Sequence, residues 1–305
     1  MDWLVFDFGP NYGDNFRGFL FLKALKRKFP QVRMTCWITP DLHAHLQGLL
    51  KYLGFIDAFL IRERTPRETY QINFEIIKRV LQGKKDIRLE NFPGGYGPDA
   101  KYYQKIIPNS EPWMTAIIVS GAFMGTHDVV NQGEFLSAML GLSPDEVAQE
   151  SPLVGRRDTV EEYIGVGLCR PSKEDRKQPS LPEIGKIWDA ILKWNQKVFA
   201  LDFQGWYPIP ANEKIEDCRK RSWEDKVSIL NRAQLFIGID GGLNHFAAAC
   251  GCPTFSFYGE NRGSDMGEKV GPYPRRTPFG IHTTFGNFDQ FLKGIDEKLE
   301  ELSHG

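Results

Sequence analysis

The chain has 305 residues, 41% of them hydrophobic, enough apolar material for about two buried cores. Its 38 Lys and Arg balance 39 Asp and Glu, which removes bulk charge as a reason to expect a nucleic-acid partner or an anionic membrane. Five scattered cysteines, an odd number, argue against a disulfide framework and for a reducing, cytoplasmic setting.

The opening Met1-Asp-Trp-Leu-Val-Phe-Asp-Phe8 has no basic flank and reads as a first strand, Leu4 to Phe8, instead of a secretory signal. A helix follows from Asn15 to Lys28, with Phe16, Phe19, Leu20, Leu22, Ala24 and Leu25 at helical spacing and Lys26-Arg-Lys28 at the end that the helix dipole favours for cations. Pro30 ends it. Further strands are expected at Met34 to Ile38, Ala58 to Ile61, Ile87 to Glu90 and Thr115 to Ser120. From Ser143 to Asp158 the composition turns to Pro, Gly and charge, and the alternation then restarts, placing a boundary between domains 1–155 and 156–305.

The second half carries expected strands at Tyr163 to Leu168, Lys197 to Asp202, Leu235 to Ile239 and Thr254 to Tyr258. Helices are expected at Leu181 to Trp194, Glu224 to Ala233, behind a Ser222 cap, and Leu243 to Cys250. The final stretch puts Phe288, Phe291, Leu292, Ile295, Leu299 and Leu302 on one face of an amphipathic helix; packing back on the N-terminal domain is one placement for it. No segment approaches the roughly 20 apolar residues of a membrane span. Peripheral membrane contact is left open.

Ligands of parallel α/β sheets bind beyond the carboxyl ends of the strands. Three loops there are unusual. Asp240-Gly-Gly-Leu-Asn-His245 joins a strand to a helix: its glycines permit close approach, the helix start supplies amide N–H groups and partial positive charge, and His245 adds a donor, which together suit an anion. The loop from Gly167 to Pro179 adds Arg170, Lys173, Arg176 and Lys177, so that a diphosphate is the natural ligand, although such a run is more often a solvated loop. The first loop lacks a full Gly-x-Gly-x-x-Gly pattern and puts Asp14 where a pyrophosphate would sit, which argues against a nicotinamide or flavin cofactor. Asp14 is read evenly as a general base or a helix cap. Cys250-Gly-Cys252 lacks zinc-knuckle spacing and reads as packing. The aromatic loop from Phe203 to Pro208 is divided between packing and a nucleobase frame.

Asp240-Gly-Gly-Leu-Asn-His-Phe-Ala-Ala-Ala-Cys-Gly-Cys-Pro253, Phe257-Tyr-Gly259, the lead-in Ser228 to Ile239, and Gly13-Asp14 followed by Phe19 to Pro30 together resemble the family-nine, heptosyltransferase-like glycosyltransferases. The resemblance touches both halves but finds nothing from about residue 60 to 160. It implies a GT-B fold, two Rossmann-like domains facing each other across a cleft, the first binding acceptor and the second the nucleotide sugar. By the same resemblance Asp14 is the catalytic base, while Arg176, Lys177 and the segment Asp240, Gly241, Gly242, Leu243, Asn244 and His245 bind the donor diphosphate. The implied reaction is inverting sugar transfer from a nucleotide-diphosphate sugar to a glycan or glycolipid hydroxyl, with no metal and no cofactor. Gly241 stands where the family has Ser or Thr, and Gln178 where it often has an aromatic. Two other functions remain in view: a sugar-nucleotide epimerase, drawing on His127 and Asp128, and a non-catalytic nucleotide-sugar-binding protein.

Overall fold

The computed structural model describes residues 3–7, 12–28, 30, 33–61, 146, 149–150, 152–155, 159–168, 179–202, 207–259, 276–277 and 280–304. The strands expected at 87–90 and 115–120 lie outside these residues. The chain divides into two units, Met1–Val147 and Ala148–Gly305. The division falls ahead of the expected 155 because Leu153 and Val154 donate their amides to the Ala249 carbonyl (2.6 and 3.2 Å), tying that segment to the second unit.

Unit 1 contains a parallel sheet ordered β1-β2-β3, formed by Trp3–Asp7, Arg33–Ile38 and Ala58–Ile61. Helix α1 (Tyr12–Lys28) opens before the expected Asn15 and buries Phe16, Phe19, Leu22 and Leu25. Phe19 sits edge-on to both Phe16 and Phe59. Asp57 joins the helix end to the sheet, accepting from Lys26 Nζ at 2.9 Å and from the Met34 amide at 2.7 Å. Helix α2 (Pro40–Leu46) and the 3₁₀ turn Gln47–Tyr52 fill the connection between β2 and β3, where the alternation calls for a helix. Thr39 accepts from the Leu42 amide and Pro40 occupies the first turn, where its missing N–H costs nothing.

Unit 2 holds six parallel strands in the order β11-β8-β7-β4-β5-β6: Thr283–Phe285, Thr254–Phe257, Ala233–Ile239, Glu161–Gly167, Lys197–Ala200 and Ile215–Asp217. A two-stranded antiparallel ribbon, β9 (Arg276–Thr277) with β10 (Gly280–Ile281), stands apart. On one sheet face α3 (Leu181–Leu192) and α6 (Phe288–His304) bury Ile187, Trp188, Ile191, Phe291 and Ile295 against Ile164, Val166, Leu235, Ile237 and Phe255. On the other face lie α4 (Trp223–Arg232) and α5 (Gly242–Ala249), joined by an edge-on contact between Trp223 and Phe246. Both α3 and α4 begin at side-chain caps, a reciprocal Ser180–Glu183 box and the expected Ser222.

The last helix packs on the sheet of its own unit. Phe291 stacks over Phe255 and Phe257, and Gly294 lets the helix come so close that a Cβ there would lie 2.7 Å from the Phe255 ring. The connection from β5 to β6 shows no helix among its described residues. Instead Tyr207, fully buried, donates its hydroxyl to the carbonyls of Val166 (3.0 Å) and Leu201 (2.7 Å), clamping the ends of β4 and β5.

Candidate functional site

From the centre of this parallel sheet β4, β5 and β6 follow one another toward one edge, and β7, β8 and β11 toward the other. The order therefore reverses between β4 and β7, and a doubly wound sheet binds its ligand in the crevice beyond the carboxyl ends of the strands at that reversal. Asp240-Gly241-Gly242 leaves β7 there.

The central strands are built to come close. Phe236, wholly buried on β7, lies across glycines: a Cβ at Gly238 would fall 2.4 Å from its ring, and one at Gly167 of β4 would fall 2.9 Å from the same ring and 2.4 Å from Leu243. Leu243 thus packs inward against β4 as a core side chain. Asn244 is also fully buried. Its Nδ2 donates to the Tyr258 hydroxyl (2.8 Å) and its Oδ1 accepts from Ser256 Oγ (2.5 Å), so the side chain ties α5 to β8. The resemblance assigns both to donor binding; in the structure their side chains are committed to the fold, because the first turn of α5 faces the sheet.

The turn itself remains accessible. Asp240 is buried and its amide donates to the Phe257 carbonyl at 2.8 Å, holding the start of the turn to β8. Gly241 is the cap residue of α5, with φ 171° and ψ 174°, extended backbone open to any residue, and no side-chain cap bond forms. A Cβ there would meet nothing nearer than the Ile239 carbonyl at 3.9 Å, so the fold does not demand a glycine. Gly242 opens the helix, and the partly exposed His245 is its fourth residue. An uncapped eight-residue helix thus presents its positive end at the reversal point.

Asp14 is the third residue of α1. Arg176 and Lys177, like Arg170, Lys173, His127 and Asp128, lie outside the described residues. Cys250 and Cys252 are buried. Gly251 between them takes a left-handed φ of 82°, the usual end of a helix, and Cys252 donates its amide back to Ala247 (3.0 Å). Among the described residues no three His, Cys, Asp or Glu side chains gather as a metal site, and no helix is long and apolar enough to cross a membrane.

Sequence reading passed over two polar groups at this end of the sheet, Asp202 after β5 and Lys226 on α4, both buried. The spacing Trp223-x-x-Lys226, neighbours on one helix face, was the available signal.

No protein-family model and no curated protein sequence matches the chain. Among solved structures it is similar to the E. coli heptosyltransferase WaaC with ADP, at 13% identity over 99% of this chain and 100% of that one, with a TM-score of 0.58. The E. coli ADP-heptose LPS heptosyltransferase II matches at 12% identity over 99% of this chain and 98% of that one, TM-score 0.53. The iron-containing dodecameric glycosyltransferase TibC from enterotoxigenic E. coli matches at 14% over 98% of this chain and 76% of its own, TM-score 0.53. What is shared at these identities is the fold: the chain has the α/β fold of the heptosyltransferases, the GT-B class read from its sequence.

Proposed function

We propose that this chain is an inverting glycosyltransferase that moves a hexosyl- or heptosyl-type sugar from a nucleotide-diphosphate donor to a hydroxyl of a glycan or glycolipid. The observation that carries this reading is α5 opening without a side-chain cap at the reversal point of a sheet whose fold is that of a heptosyltransferase described with ADP. Unit 2 then takes the donor and unit 1 the acceptor.

In this mechanism Asp14 removes the proton of the acceptor hydroxyl, whose oxygen attacks the anomeric carbon from the side opposite the diphosphate. The C–O bond to the diphosphate breaks and the configuration inverts. The leaving oxygens are stabilised by the α5 amides at Gly241 and Gly242, by His245, and by Arg176 and Lys177, in place of a metal ion. Leu243 and Asn244 hold α5 to the sheet and act through its position. The odd, scattered set of five cysteines, four of them buried in the described residues, supports a reducing, cytoplasmic setting.

The test is a panel of nucleotide sugars with and without acceptor extract, read as released nucleoside diphosphate. Release that needs acceptor, lost in Asp14→Ala while donor binding by calorimetry persists, supports transfer. Full turnover by Asp14→Ala removes the assigned base. Tight donor binding with no release in either condition supports a non-catalytic binding protein, the reading that the missing hydroxyl at Gly241 favours; isomerised sugar means an epimerase.

A further inference from the structure

Lys226 is the fourth residue of α4 and only 4% exposed. Its Nζ lies 5.5 Å from the centroid of the Trp223 ring, one turn back toward the start of the helix. Neither a hydrogen bond nor an ion pair joins it to another described residue, although an ammonium carries three donors. Asp202, beyond the end of β5, acts on it only through space. Burial pushes the ammonium pKa down, with Asp202 opposing in part.

Burial and the helix dipole work against a cation here, and only Asp202, Cys218 and the face of Trp223 offset them in part. The side chain is largely buried with no acceptor among the described residues, and the dipole of a ten-residue helix presents positive charge at this end. An apolar chain of the same length would fill the space without those costs. The place is also the ligand end of the sheet, and the contact of Trp223 with Phe246 links this turn of α4 to α5, the helix that opens at Gly242.

We infer that the Lys226 ammonium, seated on Trp223, is a further anion contact of unit 2 and binds a phosphate group, that of the donor's nucleoside diphosphate. The second half of this statement rests on the function proposed above. Binding supplies the missing acceptor, so a lysine that the free protein gains little from holding becomes useful when the ligand arrives.

The test uses the whole protein with lysines ¹³C-labelled at Cε, a position that reports the state of each ammonium, titrated with ADP, UDP, GDP and inorganic pyrophosphate. The signal missing from Lys226→Met identifies the residue. The expected result is that this signal moves saturably with at least one probe, and that Lys226→Met binds the same probe at least about 10-fold more weakly. Its thermal midpoint without ligand should hold or rise, which a structural lysine would not allow. A probe that binds while the Lys226 signal stays in place, or binds Lys226→Met with unchanged affinity, overturns the inference and leaves the donor reading standing. Pyrophosphate that moves Lys226 in a protein that takes no nucleoside diphosphate upholds the anion contact and removes the donor reading. No binding of any probe overturns both.

Discussion

Two glycines three residues apart, Gly238 and Gly241, should respond in opposite ways to the same substitution. At Gly238 an added methyl would stand 2.4 Å from the Phe236 ring, where ordinary contact begins at 3.4 Å, so the ring or the strand must move by about 1 Å. The ring has nowhere to go, because it is wholly buried and lies close over Gly165 and Gly167 of the neighbouring strand. Overpacking of this kind costs roughly 1–3 kcal/mol, and the absence of slack places Gly238→Ala near the top of that range. For a unit of this size each kcal/mol lowers the thermal midpoint by roughly 2–4 °C, giving a loss of about 5–10 °C. Gly241→Ala has open space and an extended backbone, and should stay within about 2 °C of the parent. Calorimetric melts of both variants decide it. Phe236→Leu in the Gly238→Ala background should recover part of the loss, with a coupling of about 1 kcal/mol or more. Equal midpoints for the two alanine variants, or strict additivity with Phe236→Leu, would refute the packing described for β4 and β7.

Acid should weaken the fold through His282, which is buried beside Thr254 Oγ1 (3.1 Å) and whose pKa burial lowers from 6.5 to about 4. Because the unfolded chain binds the proton first, stability falls as pH drops from 6.5 toward 4, by up to about 3 kcal/mol; denaturant melts of His282→Gln should show a flatter profile across that window. Asn244→Ala removes the partner of both Ser256 and Tyr258 and should cost roughly 2–4 kcal/mol in chemical denaturation, with Asn244→Asp failing to restore it. Four of the five thiols, those of Cys36, Cys218, Cys250 and Cys252, should react slowly with thiol reagents in the native protein at neutral pH, since they are buried and burial pushes the Cys218 thiol up to about 11; more than one thiol labelling as fast as in denaturant contradicts this.

The features legible in the sequence were those set by neighbours along the chain. Ile239-Asp-Gly-Gly242 announced a strand-to-helix turn, Ser222 announced a helix start, and the period of Phe288 to Leu302 announced a buried helix face. What could not be read needed the phase of each element against its neighbours. Leu243 and Asn244 stand in the most suggestive motif of the chain, yet α5 turns both into the sheet, a fact that depends on Gly167 and Tyr258 far away in sequence. Strands β6, β9, β10 and β11 are two or three residues each, too short for period to show. Lys226 follows Glu224 and Asp225 in a charged run, and its burial is decided by packing, not by local composition.

The claim that unit 2 holds a nucleoside diphosphate at the start of α5 is tested most directly by calorimetric titration of ADP, UDP and GDP into the parent and Gly241→Asp. Aspartate is a favoured helix cap and the backbone and space at 241 accept it, so the fold should be kept or slightly strengthened. A carboxylate about 4 Å from a diphosphate charge opposes binding by about 4 kcal/mol at an effective dielectric of roughly 20, close to a thousand-fold. Saturable binding of a nucleoside diphosphate to the parent and its loss in a folded Gly241→Asp is the predicted result; equal affinity for both proteins contradicts it.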